Sequence, residues 1–360
     1  MRGAHVQSEV VQNRGGGYHK RLFDIIISKR NLISAWREFL IGKKKKPDVV
    51  IFSDTLEENI LSLHERLALR TYVHGGYASF YITDPKLRHI HKASIEDRLL
   101  HHAVHRIIAP LFEPGFIFDS YSSRKGKGAH AAFERLRKFA WKVSVNNTHS
   151  VWALKCDIRR FFDSIDHVVL LSLVKRKILD QKLISLLERI IHSFEATRGK
   201  GLPLGNLTSQ LFANVYLDPL DQFVKRTLRI QCYVRYADDF VLLSRNRHEL
   251  EDALSRIREF LSEKLLLALH PHKVFFRKWH QGIDFLGYVH FPHFRIIRTN
   301  TKRRIMRNLM RRRKEYSRGV INEQSFESRK QSYLGVLSHA RSKKLERMVK
   351  NISSPHASFT

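Results

Sequence analysis

The stretch "YVRYADDFVLLS", residues 233–244, decides the fold, because it sets two aspartates side by side inside an apolar run with strong strand propensity. The flanking Val, Tyr, Phe and Leu residues predict two strands joined as a hairpin around Asp238 and Asp239. Burying one carboxylate costs free energy, and a second carboxylate beside it adds to that cost. The sequence therefore predicts that positive charge lies close to this pair.

A third aspartate ends an earlier strand pattern. The stretch "VWALKCDIRRFFDSID", residues 151–166, predicts a strand that ends at Asp157 and continues into a polar turn and a helix. If the two strand patterns are neighbours in one sheet, three carboxylates meet at its edge, a cluster that favours Mg²⁺. Two Mg²⁺ ions would there hold the attacking 3′ oxygen and the leaving pyrophosphate of a phosphoryl transfer. The alternative is that these aspartates lie in turns or pair with Arg159 or Arg235.

The composition indicates a nucleic-acid partner. Among 360 residues, 65 Lys and Arg oppose 34 Asp and Glu, a formal net charge of +31, and 43% of residues are hydrophobic, enough for a core. Such basic charge usually neutralises a polyanion; the alternatives are a charge that serves solubility and a membrane-surface protein. Two cysteines, Cys156 and Cys232, exclude a disulfide scaffold and a four-cysteine zinc site. Without a long apolar run or an apolar N-terminal segment, we predict a cytoplasmic protein with no membrane partner.

The order of the elements predicts an α+β fold, because strands and helices do not alternate regularly. Residues 78–94 predict two strands joined at Asp84-Pro85, and residues 94–116 predict a helix capped by Ser94. In that helix, His101 and His105 are one turn apart and are interpreted as part of an exposed basic face. Residues 273–291 predict a further hairpin, and basic helices follow from Thr301.

The motifs resemble those of a reverse transcriptase. "YADD", residues 236–239, and "CDIRRFFDSIDH", residues 156–167, are similar to the palm of that family, and the resemblance extends from about residue 20 to 345. It implies a right-hand polymerase fold with fingers, a palm built on an antiparallel sheet, and a helical thumb. The implied ranges are a flexible arm at 1–20, fingers at 21–150, palm at 151–290, thumb at 291–345 and a tail at 346–360.

The resemblance also assigns site residues. Asp157, Asp238 and Asp239 are the implied catalytic carboxylates, and with Ile158 they form the implied metal site for two Mg²⁺ ions. Phe162 matches the ring that excludes the ribose 2′-OH, so the substrates are dNTPs and the product is DNA; the alternative is a core phenylalanine. Lys273 is a weak candidate for proton donor to pyrophosphate.

Basic and aromatic residues complete the implied substrate contacts. Lys86 and Arg88 match residues that hold the incoming triphosphate; the alternative is exposed strand charge. The implied primer and template contacts are Arg124, Lys125, Lys127, Tyr236 and the primer grip "FLGY", which comprises Phe285, Leu286, Gly287 and Tyr288.

One block indicates the subfamily. Most relatives, including group II intron and retron enzymes, carry Gln-Gly, three residues, then Ser-Pro where this chain has "LGNLTSQ", residues 204–210. Leu204 replaces the glutamine, Gln210 replaces the proline, and Gly205 is retained among the implied nucleotide contacts. This pattern resembles the reverse transcriptases of diversity-generating retroelements, which copy a template-repeat RNA into cDNA, misread adenines and replace a variable repeat in a target gene. It implies a retroelement RNA and a small basic accessory protein as partners.

A physical argument supports a tolerant site at Leu204. Glutamine can brace the incoming nucleotide by a hydrogen bond, whereas leucine can only pack, and losing such a brace costs roughly 1–3 kcal/mol of discrimination. The alternative for Leu204 is a repacked apolar residue of the loop. The alternatives for the function are a faithful retron- or intron-type enzyme, a template-independent abortive-infection-type polymerase, and a non-catalytic RNA-binding protein with a polymerase fold.

Overall fold

The computed structural model describes residues 21–84 and 87–352. The predicted arm at 1–20, most of the predicted tail and Lys86 lie outside these residues. Within them, no helix is both long enough and apolar enough to cross a membrane. The chain divides into two compact units, and segments of the two units alternate along the sequence. The first unit comprises the described residues of Met1–Gly126, Ile158–Ile230 and Ser255–Pro271; the second comprises those of Lys127–Asp157, Gln231–Leu254 and His272–Thr360.

Helices and strands both contribute to the fold. The helices are α1 Leu22–Ile27, α2 Lys29–Phe39, α3 Pro47–Asp54, α4 Leu56–Ala68, α5 Ile95–Phe112, α6 Ala129–Val143, α7 Phe161–Ser164, α8 His167–Lys175, α9 Gln181–His192, α10 Leu207–Gln222, α11 Arg247–Leu265, α12 Thr299–Ser317, α13 Glu323–Ser338 and α14 Lys343–Lys350. The strands are β1 Tyr77–Ile82, β2 Arg88–Ala93, β3 Trp152–Asp157, β4 Tyr233–Tyr236, β5 Asp239–Ser244, β6 Phe275–Lys278, β7 Ile283–Phe285, β8 Tyr288–His290 and β9 Arg295–Ile297.

The core of the first unit forms around α5, which packs against α2 and α10. As predicted, Ser94 caps this helix by accepting a hydrogen bond from the backbone N–H of Asp97 at 3.1 Å. The prediction of an exposed face was wrong for His101, which is 1% exposed. Its ring stacks on the ring of His74 at a centroid distance of 5.3 Å. This face of α5 is buried because neighbouring helices of the same unit pack around it.

The predicted hairpin at residues 78–94 is present. β1 and β2 pair antiparallel from Tyr77 opposite Ala93 to Ile82 opposite Arg88. This two-stranded sheet belongs to the first unit.

The second unit is built on a four-stranded sheet in the order β4-β5-β3-β6. Each neighbouring pair is antiparallel, and α6 packs against β4 and β5. Apolar side chains such as Leu154, Val241 and Leu242 are fully buried, because both faces of the sheet are covered. The structure therefore confirms the α+β class and the antiparallel sheet predicted for the palm.

The prediction of one hairpin over residues 273–291 was wrong. β6 joins the four-stranded sheet beside β3, whereas β7, β8 and β9 form a separate three-stranded sheet. A 3₁₀ turn at Trp279–Gln281 and Gly282, with φ +84°, redirect the chain between the sheets. A Cβ at Gly282 would lie 2.7 Å from Cγ1 of Val289, so this turn needs glycine.

The helices α12, α13 and α14 confirm the predicted basic helical segment, and all belong to the second unit. The ranges assigned above to fingers, palm and thumb stay a prediction.

Candidate active site

The register of the four-stranded sheet brings the three aspartates to one edge. Asp157, the last residue of β3, lies directly opposite Asp239, the first residue of β5. Asp239 also lies opposite Tyr236 across the turn formed by Ala237 and Asp238, with φ +53° at Ala237. The two strand patterns are therefore neighbours in one sheet, which is the condition on which the meeting of the three carboxylates depended. We call Asp157, Asp238 and Asp239 the carboxylate cluster.

Two lysines supply the positive charge that the sequence required near this cluster. Nζ of Lys155 lies 2.9 Å from Oδ1 of Asp239, and Nζ of Lys273 donates to Oδ1 of Asp157 at 2.8 Å. Lys155 is 6% exposed and Lys273 is 42% exposed at the side chain. Arg235, one of the two arginines considered as a partner, donates from its guanidinium to the carbonyl of Ala237 at 3.2 Å.

Burial raises the pKa of Asp239 to about 6 from an ordinary value of 3.8. The nearby Lys155 lowers this pKa, whereas the charges of Asp157 and Asp238 raise it. Since the pKa is higher in the folded state, the folded protein holds a proton between pH 3.8 and about 6 that the unfolded chain has released. The stability from this group is therefore present at low pH and is lost as the pH rises through about 6.

The cluster fits divalent cations. Its donors are carboxylate oxygens, the ligands that hard divalent ions take, and ammonium groups lie against two of its members. Burial is the largest cause of the raised pKa of Asp239, and the charges of Asp157 and Asp238 raise it further, a repulsion that a bound cation would relieve. Asp157, Asp238 and Asp239 are the side chains that would hold the metal; Ile158, which follows Asp157 in the chain, has a buried side chain.

Lys155 was not among the predicted site residues. Side chains two residues apart on a strand point to the same face, so a lysine two positions before Asp157 lies beside the cluster. That period-two spacing, within an otherwise apolar strand, is the signal that could have identified it.

In the first unit, the loop Leu202–Asn206, which we call the Leu204 loop, is held by its backbone. The carbonyl of Leu204 accepts a hydrogen bond from the N–H of His91 at 3.0 Å, and the side-chain amide of Asn206 donates to the carbonyl of His91 at 3.2 Å. On its other side, the N–H of Leu202 donates to the carbonyl of Phe162 at 2.8 Å. The loop therefore lies between β2 and α7, with the Leu204 side chain partly exposed.

Three predicted nucleotide-binding side chains in this unit are accessible. Phe162 is partly exposed, whereas Phe161 beside it is 2% exposed, so the alternative of a core phenylalanine describes Phe161. Arg88 at the start of β2 and Gln210 in the first turn of α10 are exposed. Their contacts with nucleotide stay predictions.

Arg124 differs from the neighbouring predicted phosphate contacts. Its guanidinium pairs with Glu113 at 2.7 Å and donates to the carbonyls of Ile117 and Ser120 at 2.6 and 2.9 Å. Only 6% of its side chain is exposed, and these contacts stabilise the loop that contains Arg124. Lys125 is exposed and Lys127 partly exposed.

The predicted primer grip forms the turn between β7 and β8. Leu286 and Gly287 both have positive φ, +52° and +89°, as a two-residue type I′ hairpin turn requires. Phe285 is fully buried, and the hydroxyl of Tyr288 donates to the carbonyl of Val336 on α13 at 2.9 Å. These residues tie the three-stranded sheet to the basic helices of the same unit.

The part of the chain that contains the carboxylate cluster matches a known protein family. Residues 83–290, more than half of the chain, match the family model described as "Reverse transcriptase (RNA-dependent DNA polymerase)". The chain belongs to the reverse transcriptase family. The matched residues include the cluster, the Leu204 loop and the primer grip.

Curated relatives of this reverse transcriptase include intron-encoded proteins. It is 25% identical over 304 residues to the group II intron-encoded protein LtrA of Lactococcus lactis, covering 64% of this chain and 49% of that protein. It is 24% identical over 241 residues to the protein YkfC of Escherichia coli K12, covering 56% of this chain and 63% of that protein. The chain thus spans about half to two thirds of the length of these relatives.

Solved structures with some similarity are telomerases. An apo telomerase from Candida tropicalis, truncated at the C-terminal domain, superposes with a TM-score of 0.48 at 11% identity, covering 63% of this chain and 55% of that one. A telomerase from Candida albicans, in complex with a fragment of telomeric RNA, gives 0.46 at 12% identity, covering 63% and 46%.

Proposed function

We propose that this protein synthesises DNA on an RNA template with two Mg²⁺ ions and dNTPs, and that it is the error-prone enzyme of a diversity-generating retroelement. The observation that carries the polymerase activity is the register of Asp157 opposite Asp239, with Asp238 in the adjoining turn. In such a cluster, bound Mg²⁺ would stabilise the charge that develops on the attacking and leaving oxygens.

The residues of the chain position the reactants. Asp157 and Asp239 lie opposite each other on neighbouring strands of the four-stranded sheet, which fixes the backbone positions of two of the proposed metal ligands. Lys155 keeps Asp239 ionised at neutral pH. Lys273, which is exposed to solvent beside Asp157, is proposed as the donor of a proton to the leaving pyrophosphate.

The first unit is proposed to select the nucleotide. Phe162 would exclude a ribose 2′-OH, and Lys86 and Arg88 would hold the triphosphate. Leu204 would contact the nascent base pair without a hydrogen bond, which lowers discrimination against a wrong base. Its backbone contact with His91 fixes the loop whichever side chain stands there.

The retroelement assignment rests on Leu204 and Gln210. It implies a template-repeat RNA, retrohoming of the altered cDNA into a variable repeat, and a small basic accessory protein. The net charge of +31 fits an enzyme that holds RNA and cDNA. We propose the cytoplasm as the site of action.

A faithful intron-type reverse transcriptase is the second candidate. The similarity to LtrA favours it, since that relative is encoded by a group II intron. The two candidates differ in the errors they predict.

The deciding experiment is primer extension on a defined RNA template with Mg²⁺ and all four dNTPs, with every product sequenced. The retroelement enzyme is expected to make cDNA with errors concentrated opposite adenines. Leu204→Gln should reduce those errors, because it restores a hydrogen-bonding side chain while the backbone contact is kept. Leu204→Met is the matched control, since it keeps an apolar side chain, and should retain the errors.

Accurate copying of all four bases would assign the protein to the faithful enzymes. Asp239→Asn should abolish synthesis, because it removes a metal-binding charge; full cDNA synthesis by this variant would contradict the polymerase site itself. An Asp239→Asn variant with unchanged biological activity would instead support the non-catalytic RNA-binding protein.

A further inference from the structure

A second cluster of potential metal ligands lies in the first unit, among residues that the proposed polymerase chemistry does not use. It comprises His167 at the start of α8, His192 at the end of α9, and Glu195 three residues later. Their ligand atoms all lie within 4.8 Å of one another. No other three potential ligands among the described residues lie so close together, and this includes the three aspartates of the carboxylate cluster.

The two imidazoles face each other with a spacing that suits one metal ion. Nδ1 of His167 lies 3.1 Å from Nδ1 of His192. In a tetrahedral zinc site, Zn–N bonds of about 2.0–2.1 Å place two nitrogen ligands about 3.3 Å apart. Only a small shift of the exposed His192 ring is therefore needed to accept an ion.

The surroundings orient each ligand. Nε2–H of His167 donates to the carbonyl of Gly201 at 2.8 Å, which leaves Nδ1 of this buried ring with its lone pair toward the cluster. Oε1 of Glu195 accepts the N–H of Gly199 at 3.0 Å. Hydrogen bonds of this kind from metal ligands to carbonyls and amides fix the ligand geometry in protein sites.

The backbone around the cluster is closely packed. The N–H of His167 donates to the carbonyl of Gly199 at 3.0 Å, and the N–H of Gly201 donates to the carbonyl of Ile165 at 2.8 Å. Gly201 has φ +114°, and a Cβ there would lie 2.7 Å from the N of Ala196. Backbone hydrogen bonds thus hold the chain segments of this turn together without an ion.

We propose that His167, His192 and Glu195 bind one zinc ion, which fastens the end of α9 to the start of α8. Two imidazoles and one carboxylate form a donor set that zinc accepts, with a fourth position open to water because His192 and Glu195 are exposed. The same turn leads directly into the Leu204 loop, so the ion would restrict the segment that precedes it. This inference does not depend on the proposed polymerase function.

The test measures the metal content of the purified full chain. The chain is produced without a histidine tag by cells grown with added zinc and is dialysed against metal-free buffer, and its metal content is then measured by mass spectrometry. We expect about one zinc per chain. His192→Ala should lose it, and Glu195→Gln should weaken zinc binding more than about tenfold. Both side chains are exposed, so both variants should fold; circular dichroism checks this.

Two controls separate this site from others. His74→Ala removes one ring of another histidine pair in the same unit, whose Nε2 atoms lie 3.2 Å apart, and should keep the zinc. Asp238→Asn alters the carboxylate cluster and should also keep it. A chelator should lower the unfolding temperature of the unaltered protein but not that of His192→Ala.

Three outcomes would overturn the proposal. One is a folded chain that contains no zinc and whose unfolding temperature does not change with added zinc or chelator. The contact between His167 and His192 would then be a hydrogen bond and not a metal site. Another is zinc that is retained by His192→Ala but lost from Asp238→Asn. The third is stoichiometric binding of iron or nickel in place of zinc, which would refute the assignment of the ion.

Discussion

Replacing Lys155 by methionine removes the buried cation beside Asp239 and keeps a side chain of similar length. The ammonium and carboxylate lie 2.9 Å apart, and both side chains are less than a fifth exposed, at 6% and 18%. At that distance the Coulomb energy is about 6 kcal/mol with an effective dielectric constant of about 20, and breaking a buried pair costs about 3–5 kcal/mol in practice.

The carboxyl group avoids much of this cost by binding a proton. A loss of about 3 kcal/mol corresponds to a rise of about two in pKa. The pKa of Asp239, already about 6 because of burial, should therefore approach about 8 in metal-free Lys155→Met. Because metal ions bind the ionised carboxylate, metal binding at neutral pH should weaken.

The assay is the initial rate of primer extension at subsaturating Mg²⁺ from pH 5.5 to 9, paired with Mn²⁺ binding at equilibrium without substrate. The pH of half-maximal rate should rise by about two units in Lys155→Met, the change in pKa that the loss of the cation predicts. Lys155→Arg, which keeps a cation, should stay close to the unaltered protein. Saturating Mg²⁺ should narrow the difference, since the metal then replaces the missing charge.

Superimposed pH profiles for folded Lys155→Met and the unaltered protein would refute this reasoning. So would Mn²⁺ affinities with the same pH dependence. Either result would mean that Lys155 does not control the ionisation of Asp239.

Three further predictions concern the first unit. Gly205 has φ +114°, and a Cβ there would lie 3.0 Å from Cγ2 of Ile90. Gly205→Ala should therefore lower the free energy of unfolding by about 1–3 kcal/mol, measured by urea unfolding. An unchanged unfolding midpoint would contradict the claim that alanine is strained at this position. Ser94→Ala should lose about 1 kcal/mol in the same assay, because the N-cap of α5 is removed, and a neutral effect would show that another group caps the helix. Lys125→Ala should lower the salt dependence of RNA binding by about one counterion without changing the free energy of unfolding, because this exposed lysine is a predicted phosphate contact. Arg124→Ala should instead lower the unfolding midpoint, because it breaks the hydrogen bonds within its loop. The opposite pattern would mean that Arg124 contacts the phosphate and Lys125 stabilises the loop.

Local patterns in the sequence were sufficient for most elements. The alternation around Asp238 and Asp239 predicted the β4–β5 hairpin, and the apolar run before Asp157 predicted β3, because strand periodicity is a property of neighbouring residues. The same holds for β1–β2 and for the Ser94 cap. The family could also be inferred, since its motifs are short and contiguous.

Predictions that needed knowledge of distant partners were less successful. The hairpin assumed for residues 273–291 divides between two sheets, because β6 finds its partner in β3, more than a hundred residues earlier. The exposed face assumed for His101 is buried, because helices from distant parts of the chain enclose α5. The internal hydrogen bonds of Arg124 come from residues four to eleven positions away in the chain, and its contact with phosphate stays a prediction.

The sequence by itself determined the elements, their charges and the presence of three carboxylates in strand-ending positions. Only the tertiary structure decided that Asp157 lies opposite Asp239, that Lys155 pairs with Asp239 on the neighbouring strand, and that His167 and His192 meet. The physical reason is range. Propensity and periodicity act over a few residues, whereas strand register, burial and the pKa of a carboxyl group depend on groups that the folded chain brings together.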